Sequence, residues 1–166
     1  MSARRSGVVL LVALAACVWM GPLAAMVERP SLESLIARST AVCLVEVVAI
    51  TGTRAEACWL HEETRVKVLR SLKGNLQRGA EIRVATVRIA PSCGPIEDPP
   101  ISFPPPPGQA VVFLEGPRQG VWRLTDPREG LWPYDGEAFT DGFSPSLEQL
   151  AKTVAQTMNG APAATR

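Results

Sequence analysis

Behind a 13-residue apolar run, Val8 to Met20, the chain alternates short stretches of β-branched and apolar residues with turn-forming ones. Ala41 to Ile50, Thr64 to Leu72, Glu81 to Ile89, Ala110 to Leu114 and Val121 to Thr125 each read as a strand, because such side chains suit a pleated, half-buried surface. Five strands separated by turn chemistry predict an all-β core. Lys73-Gly74-Asn75 turns the second strand toward the third, and Glu115 to Gly120 forms the hairpin loop between the fourth and fifth. Asp135-Gly136, between Leu131-Trp132-Pro133-Tyr134 and Glu137-Ala138-Phe139-Thr140, predicts one more small hairpin, whose first arm Pro133 confines to a sheet edge.

Helical spacing is confined to the two ends. Leu32, Leu35 and Ile36 follow a serine cap at Ser31, with Glu33 in the first turn. Near the other end, Ser144-Pro145 reads as a cap with proline at the first helical position, and Leu147, Leu150, Ala151, Val154 and Met158 then repeat every three to four residues. A helix from about 145 to 158 is expected to cover part of the sheet, leaving 159–166 as a frayed tail. The segment from Pro91 to Gly108 holds eight prolines, including Pro104 to Pro107, and predicts an extended, polyproline-like surface loop pinned at Cys93. A proline-binding partner is the other reading of that loop.

The order of a short helix, then Ala41-Val42-Cys43-Leu44-Val45-Glu46-Val47-Val48, then Thr64 through Lys73-Gly74, then Gly108-Gln109-Ala110-Val111-Val112-Phe113-Leu114 and Trp122-Arg123-Leu124, resembles that of bacterial exported proteins similar to the tissue inhibitor of metalloproteinases and netrin-like domains. The likeness covers about residues 31 to 125, and Ser146-Leu147-Glu148-Gln149-Leu150 looks like the helical tail of the bacterial members. It implies an OB-like five-stranded antiparallel barrel over residues 26–158, with a short N-terminal helix and a C-terminal helix. Inhibitors of this kind chelate the protease zinc through the amine and carbonyl of a mature N-terminal cysteine. This chain departs from them there, because cleavage after Ala25 would leave Met26-Val27-Glu28 at the front, and acylation of Cys17 would consume the same amine. The resemblance therefore implies the fold without the inhibitory mechanism.

Composition adds the compartment. Arg4-Arg5 before the apolar run, Gly21-Pro22 after it and small residues at Leu23-Ala24-Ala25 have the form of a secretory signal peptide, residues 1–25. The run is shorter than the roughly 20 residues that a spanning helix needs. Leu14-Ala15-Ala16-Cys17 also has the form of a lipobox, so lipidation at Cys17 and a membrane-tethered product stay open. Either way the protein is expected to be exported, to the periplasm or beyond. The whole chain carries 17 basic and 16 acidic groups, and without the first 25 residues the balance is about −1. Nothing here makes a phosphate-binding arm, so nucleic acid is excluded as a partner.

Loss or acylation of Cys17 leaves Cys43, Cys58 and Cys93. Cys43 lies in an apolar run where a thiol behaves as a small hydrophobe. Cys58 and Cys93 stand in turn-rich surroundings, and a disulfide between them is expected in an oxidising compartment. The alternative is a zinc site from Cys58, His61, Cys93 and Cys43, but only Cys58 and His61 are closely spaced.

Candidate chemistry is sparse. One histidine, one tyrosine and no G-x-S-x-G or H-E-x-x-H segment argue against an enzyme, and no metal or cofactor is expected. Asp126, Glu129, Asp135, Glu137 and Asp141 cluster in sequence in the manner of a solvated loop. A binding face is better motivated, since OB barrels commonly bind on strands two and three. Alternation puts Arg65, Lys67 and Arg83 on one side of those strands and Val66, Val68, Ile82 and Val84 on the other. Such a face suits a partner protein or an acidic polymer. Trp122, Trp132, Tyr134, Phe139 and Phe143 offer a second surface, or else close the core beneath the terminal helix.

Overall fold

The computed structural model describes residues 29–90, 93, 102–140 and 145–160. The expected signal segment with Cys17 and Ala25, together with Asp141, Phe143, Ser144 and the tail from 161 onward, lies outside the described residues.

Helix α1, Leu32–Arg38, begins where Ser31 Oγ accepts a hydrogen bond from Ser34 N–H at 3.2 Å. It ends at Ser39, whose N–H and hydroxyl both donate to Leu35 O. Lys73 Nζ donates to Ile36 O at 2.6 Å and Ala37 O at 3.3 Å, placing a cation on the negative end of the helix.

Strands β1 (Ala41–Glu56), β2 (Trp59–Lys73), β3 (Glu81–Ile89), β4 (Gln109–Arg118) and β5 (Val121–Leu124) close into a barrel in the order β1-β2-β3-β5-β4, with β4 returning to β1. This is the OB-like barrel with flanking helices that the sequence implies. One pairing departs from the antiparallel set: β3 and β5 run parallel, Arg83 opposite Val121 through Ala85 opposite Arg123. Closure forces this, because a ring with an odd number of strands cannot alternate direction all the way round. A sixth strand, β6 (Leu131–Tyr134), pairs with β4. Pro133 sits in it as an edge residue, and a Tyr134–Phe139 bridge makes the small hairpin expected around Asp135-Gly136.

The burial pattern separates two kinds of strand. β2 and β3 alternate, with Val66, Val68 and Val84 buried in the barrel and the intervening side chains facing out. β1 and β4 are buried on both faces over Ala41–Val45 and Ala110–Leu114. Their inward residues, such as Cys43, Val45 and Val112, complete the barrel core. Their outward residues, Val42, Leu44, Val111 and Phe113, form a second core with Leu35, Ile36, Leu150 and Val154 of the helices. Continuous apolar runs arise because two different cores claim alternate residues of one strand.

The terminal helix α2, Leu147–Gly160, starts later than the sequence predicts. Ser146 is the cap: its Oγ accepts from Gln149 N–H at 3.3 Å while Gln149 Oε1 accepts from Ser146 N–H at 3.0 Å, a reciprocal capping box.

Three connections differ from expectation. β4 continues through Gly116-Pro117, with a register shift between Glu115 and Arg118, so the hairpin loop shrinks to Gln119-Gly120. The proline loop does not stay extended over its described end: Phe103 is buried in the barrel core, and Gly108 N–H donates to Pro105 O at 2.7 Å in a turn. The β1–β2 hairpin runs well past the predicted strands, to Glu56 and back from Trp59. At the opposite end of β2, Gly74 has φ +87° and lies so near Thr40 that a Cβ would stand 2.9 Å from its carbonyl oxygen, so glycine is required there.

Candidate functional site

β2 and β3 pair without a register shift from Trp59–Ile89 to Lys67–Glu81. Side chains therefore keep to one face along the whole ladder. The outward row runs Trp59 beside Ile89, His61 beside Val87, Glu63 beside Ala85, Arg65 beside Arg83 and Lys67 beside Glu81. The helices cover the outer faces of β1 and β4, and this row is left to solvent.

Arg65, Lys67 and Arg83 thus share the face that alternation assigns them. Their charge is largely answered in place. Arg65 Nε lies 3.5 Å from Glu81 Oε2 and Arg83 Nη1 3.3 Å from Glu63 Oε1, all four side chains being substantially exposed. Exposed pairs of this kind add little stability. They do cancel much of the field that an acidic polymer would feel. Among the described residues, no carboxylate forms a salt bridge with Lys67.

Sequence reasoning missed the other end of the row. Trp59 is 51% exposed, Val87 40% and Ile89 41%, and they occupy adjacent cross-strand positions. Solvent-facing apolar clusters of this kind commonly mark contact surfaces. The signal was the alternation Trp59, His61, Glu63 leading into Arg65, hidden because Thr64 reads as the start of the strand.

On the reverse side of the same arm, Arg88 Nε donates to Glu62 Oε2 at 2.8 Å, and its Nη2 reaches Oε1 at 3.4 Å. The Glu62 hydrogen bonds raise the pKa of Arg88 and keep it charged.

The cysteines fall into two environments. Cys58 and Cys93 are joined in a disulfide with a Cα–Cα distance of 5.5 Å, tying the start of β2 to the segment after β3. The four-residue zinc set is therefore not assembled, and Cys43 lies in the barrel interior. Burial pushes the Cys43 thiol up to about 11, against a smaller downward pull from its hydrogen bond to Ser71 Oγ at 3.8 Å. A thiol that ionises later when folded contributes stability below about pH 9 and loses it as the pH rises to about 11. Urea unfolding across that window should show the native protein losing about 2–3 kcal/mol more than Cys43→Ala. Equal slopes for the two proteins would remove Cys43 as the cause.

The remaining candidates are structural. Asp126 Oδ1 accepts from Arg128 and Glu129 N–H, and Asp135 Oδ1 from Glu137 and Ala138 N–H, so both carboxylates hold turns. Those backbone donors also hold Asp135 below the usual carboxylate range. Phe113 packs against Trp132, Trp132 against Phe139 and Phe139 against Tyr134, in tilted or edge-on contacts beneath the helices, and Trp122 packs against the barrel core. A shallow cleft of about 320 Å³ at the Gly74 end is lined by Thr40, Leu76, Pro117 and Trp122, with no titratable side chain on its wall. Among the described residues no three His, Cys, Asp or Glu side chains gather as a metal site, and no helix is long and apolar enough to cross a membrane. No protein-family model matches this sequence, and no curated protein matches it significantly.

Proposed function

We propose that the protein is an exported, non-enzymatic OB-like binding domain that docks a partner protein on the outer face of β2 and β3. The observation that carries this reading is the row of Trp59, Val87 and Ile89 standing exposed next to Arg65, Lys67 and Arg83, on the barrel face that the helices leave bare. A rigid aromatic side chain beside apolar and charged neighbours is the composition of an interface anchor. The Cys58–Cys93 disulfide suits an oxidising, exported compartment. An acidic polymer is the weaker occupant, because Arg65 and Arg83 already have carboxylate partners. The lipobox-like Leu14-Ala15-Ala16-Cys17 supports a second version in which the same domain is tethered to the envelope through acylated Cys17. Metalloproteinase inhibition is not part of either version, because cleavage after Ala25 would put Met26 first and acylation would consume the Cys17 amine.

A photo-crosslinking residue at Trp59, with Lys152 on the exposed side of α2 as the control position, tests the docking face in the exporting host. A discrete adduct from position 59 that is absent from position 152 is expected. No adduct at 59, together with retention on dextran sulfate that requires Arg65, Lys67 and Arg83, would replace the protein partner by an acidic polymer. The intact mass of the same material separates a chain starting at Met26 from one starting at acylated Cys17.

A further inference from the structure

β1 is paired on both sides only as far as the barrel reaches. β4 holds it from Ala41 to Glu46, and Val47 N–H still donates to Gly108 O at 2.8 Å. Beyond that point β2 occupies one edge, and no described strand occupies the other. Register shifts between Val47 and Ala49 and between Ile50 and Gly52 interrupt the first part of this edge, but Gly52 to Glu56 pair regularly with Glu63 to Trp59. The tract Gly52-Thr53-Arg54-Ala55-Glu56 is exposed throughout and contains no proline. A regular strand in that state presents a row of free N–H and C=O groups to another strand.

The charges on the tract select the occupant. Arg54 and Glu56 are alternate residues, so they share a face, and they form an exposed ion pair within the strand at 3.3 Å. Rotating a second copy about a two-fold axis through Ala55 gives antiparallel pairing in which Arg54 of each chain stands opposite Glu56 of the other. Both cross-strand pairs are then attractive. Centring the axis on Arg54 would instead set two arginines against each other, so the charge pattern fixes the register as well as the partner.

We propose that two copies of this chain associate through their Gly52–Glu56 edges, centred on Ala55, into a continuous sheet β3-β2-β1-β1-β2-β3. The edge is preformed, because β2 holds its other side and the Cys58–Cys93 disulfide anchors the adjoining turn, so little ordering entropy opposes pairing. The two-fold axis is perpendicular to the sheet. It places both Trp59–Ile89 rows on the same side, where a dimer presents two docking rows to one partner. The self-pairing does not depend on what those rows bind.

Sedimentation velocity of the mature protein over a concentration series, at low and high salt, tests the proposal with two charge reversals. The native chain should show a mass-action dimer that weakens with salt. R54E and E56R should each raise the dissociation constant about tenfold or more, since each turns two attractive cross-strand pairs into repulsive ones. An equimolar mixture of R54E and E56R should recover a heterodimer of near-native affinity, because both pairs become attractive again. All the substitutions are at exposed positions, and recovery in the mixture also shows that both variants are folded. A native chain that stays monomeric, a dimer indifferent to both reversals, or a mixture that fails to recover would each overturn the proposal. An edge reserved for an extended segment of another protein would give the first of these outcomes.

Discussion

Replacing Cys58 and Cys93 together by serine is expected to lower the unfolding free energy by about 2–4 kcal/mol. The bond closes a sequence separation of 35 residues, long enough for its loss to release substantial chain entropy in the unfolded state. Its position makes the effect uneven. Cys58 adjoins the turn of the long β1–β2 hairpin, and its carbonyl accepts from Ala90 N–H at 2.8 Å, so the bond and this hydrogen bond together hold the arm to the end of β3. The hairpin arm carries little buried apolar surface of its own, whereas the barrel core lies among residues far from the disulfide. Hydrogen exchange of the double variant should therefore quicken first over 52–63, while Val66, Val68 and Val112 keep their protection. Urea titration of the oxidised and double-serine proteins checks the magnitude. A difference below about 0.5 kcal/mol would mean that the arm is held by its strand pairing alone.

Phe113→Ala is expected to cost about 3–5 kcal/mol, as large as any single truncation in this chain. Phe113 is fully buried, on the outward face of β4, with its ring centroid 4.8 Å from that of Trp132. It stands in the core between the barrel and the helices, in contact with a cluster that includes Leu35, Ile36, Leu150 and Val154. Removing the ring leaves a cavity that the closed barrel on one side cannot collapse to fill. The helices on the other side are better able to move, so loss of helical circular dichroism should precede loss of the barrel on heating. Val87→Ala, on the exposed row, is the control and should change stability by less than about 0.5 kcal/mol. A Phe113→Ala cost close to that control would show that α1 and α2 are not docked through this residue.

Sequence and structure agree most closely where one local rule settles the outcome. Ser31 caps α1 because its hydroxyl needs only the N–H three residues on. Gly74 turns β2 into β3 because only glycine accepts a positive φ against Thr40. Cys58 and Cys93 pair as their surroundings suggest, and Arg65, Lys67 and Arg83 share a face because strand alternation has a period of two. Disagreement appears where the competing claims are non-local. The parallel β3–β5 seam follows from closing five strands into a ring, a constraint visible in no single segment. Phe103 leaves the proline loop for the barrel core, where its ring is removed from water, a contact between distant segments that composition does not reveal. The arm from Thr51 to Glu63 escaped notice because its residues bury almost nothing, so hydrophobic periodicity, the main signal for a strand, is absent from it.

The all-β core, the two terminal helices and the outward set on β2 and β3 are legible in the chain before it folds, as are the features from which export is expected. Each of these is written in the spacing of neighbouring residues. Only the tertiary structure decided which face stays bare, that Trp59, Val87 and Ile89 are exposed together, that Glu63 and Glu81 answer Arg83 and Arg65, and that the far end of β1 has an open edge. Those features depend on where the helices dock and where the barrel closes, which is a competition for buried area among residues distant in the chain.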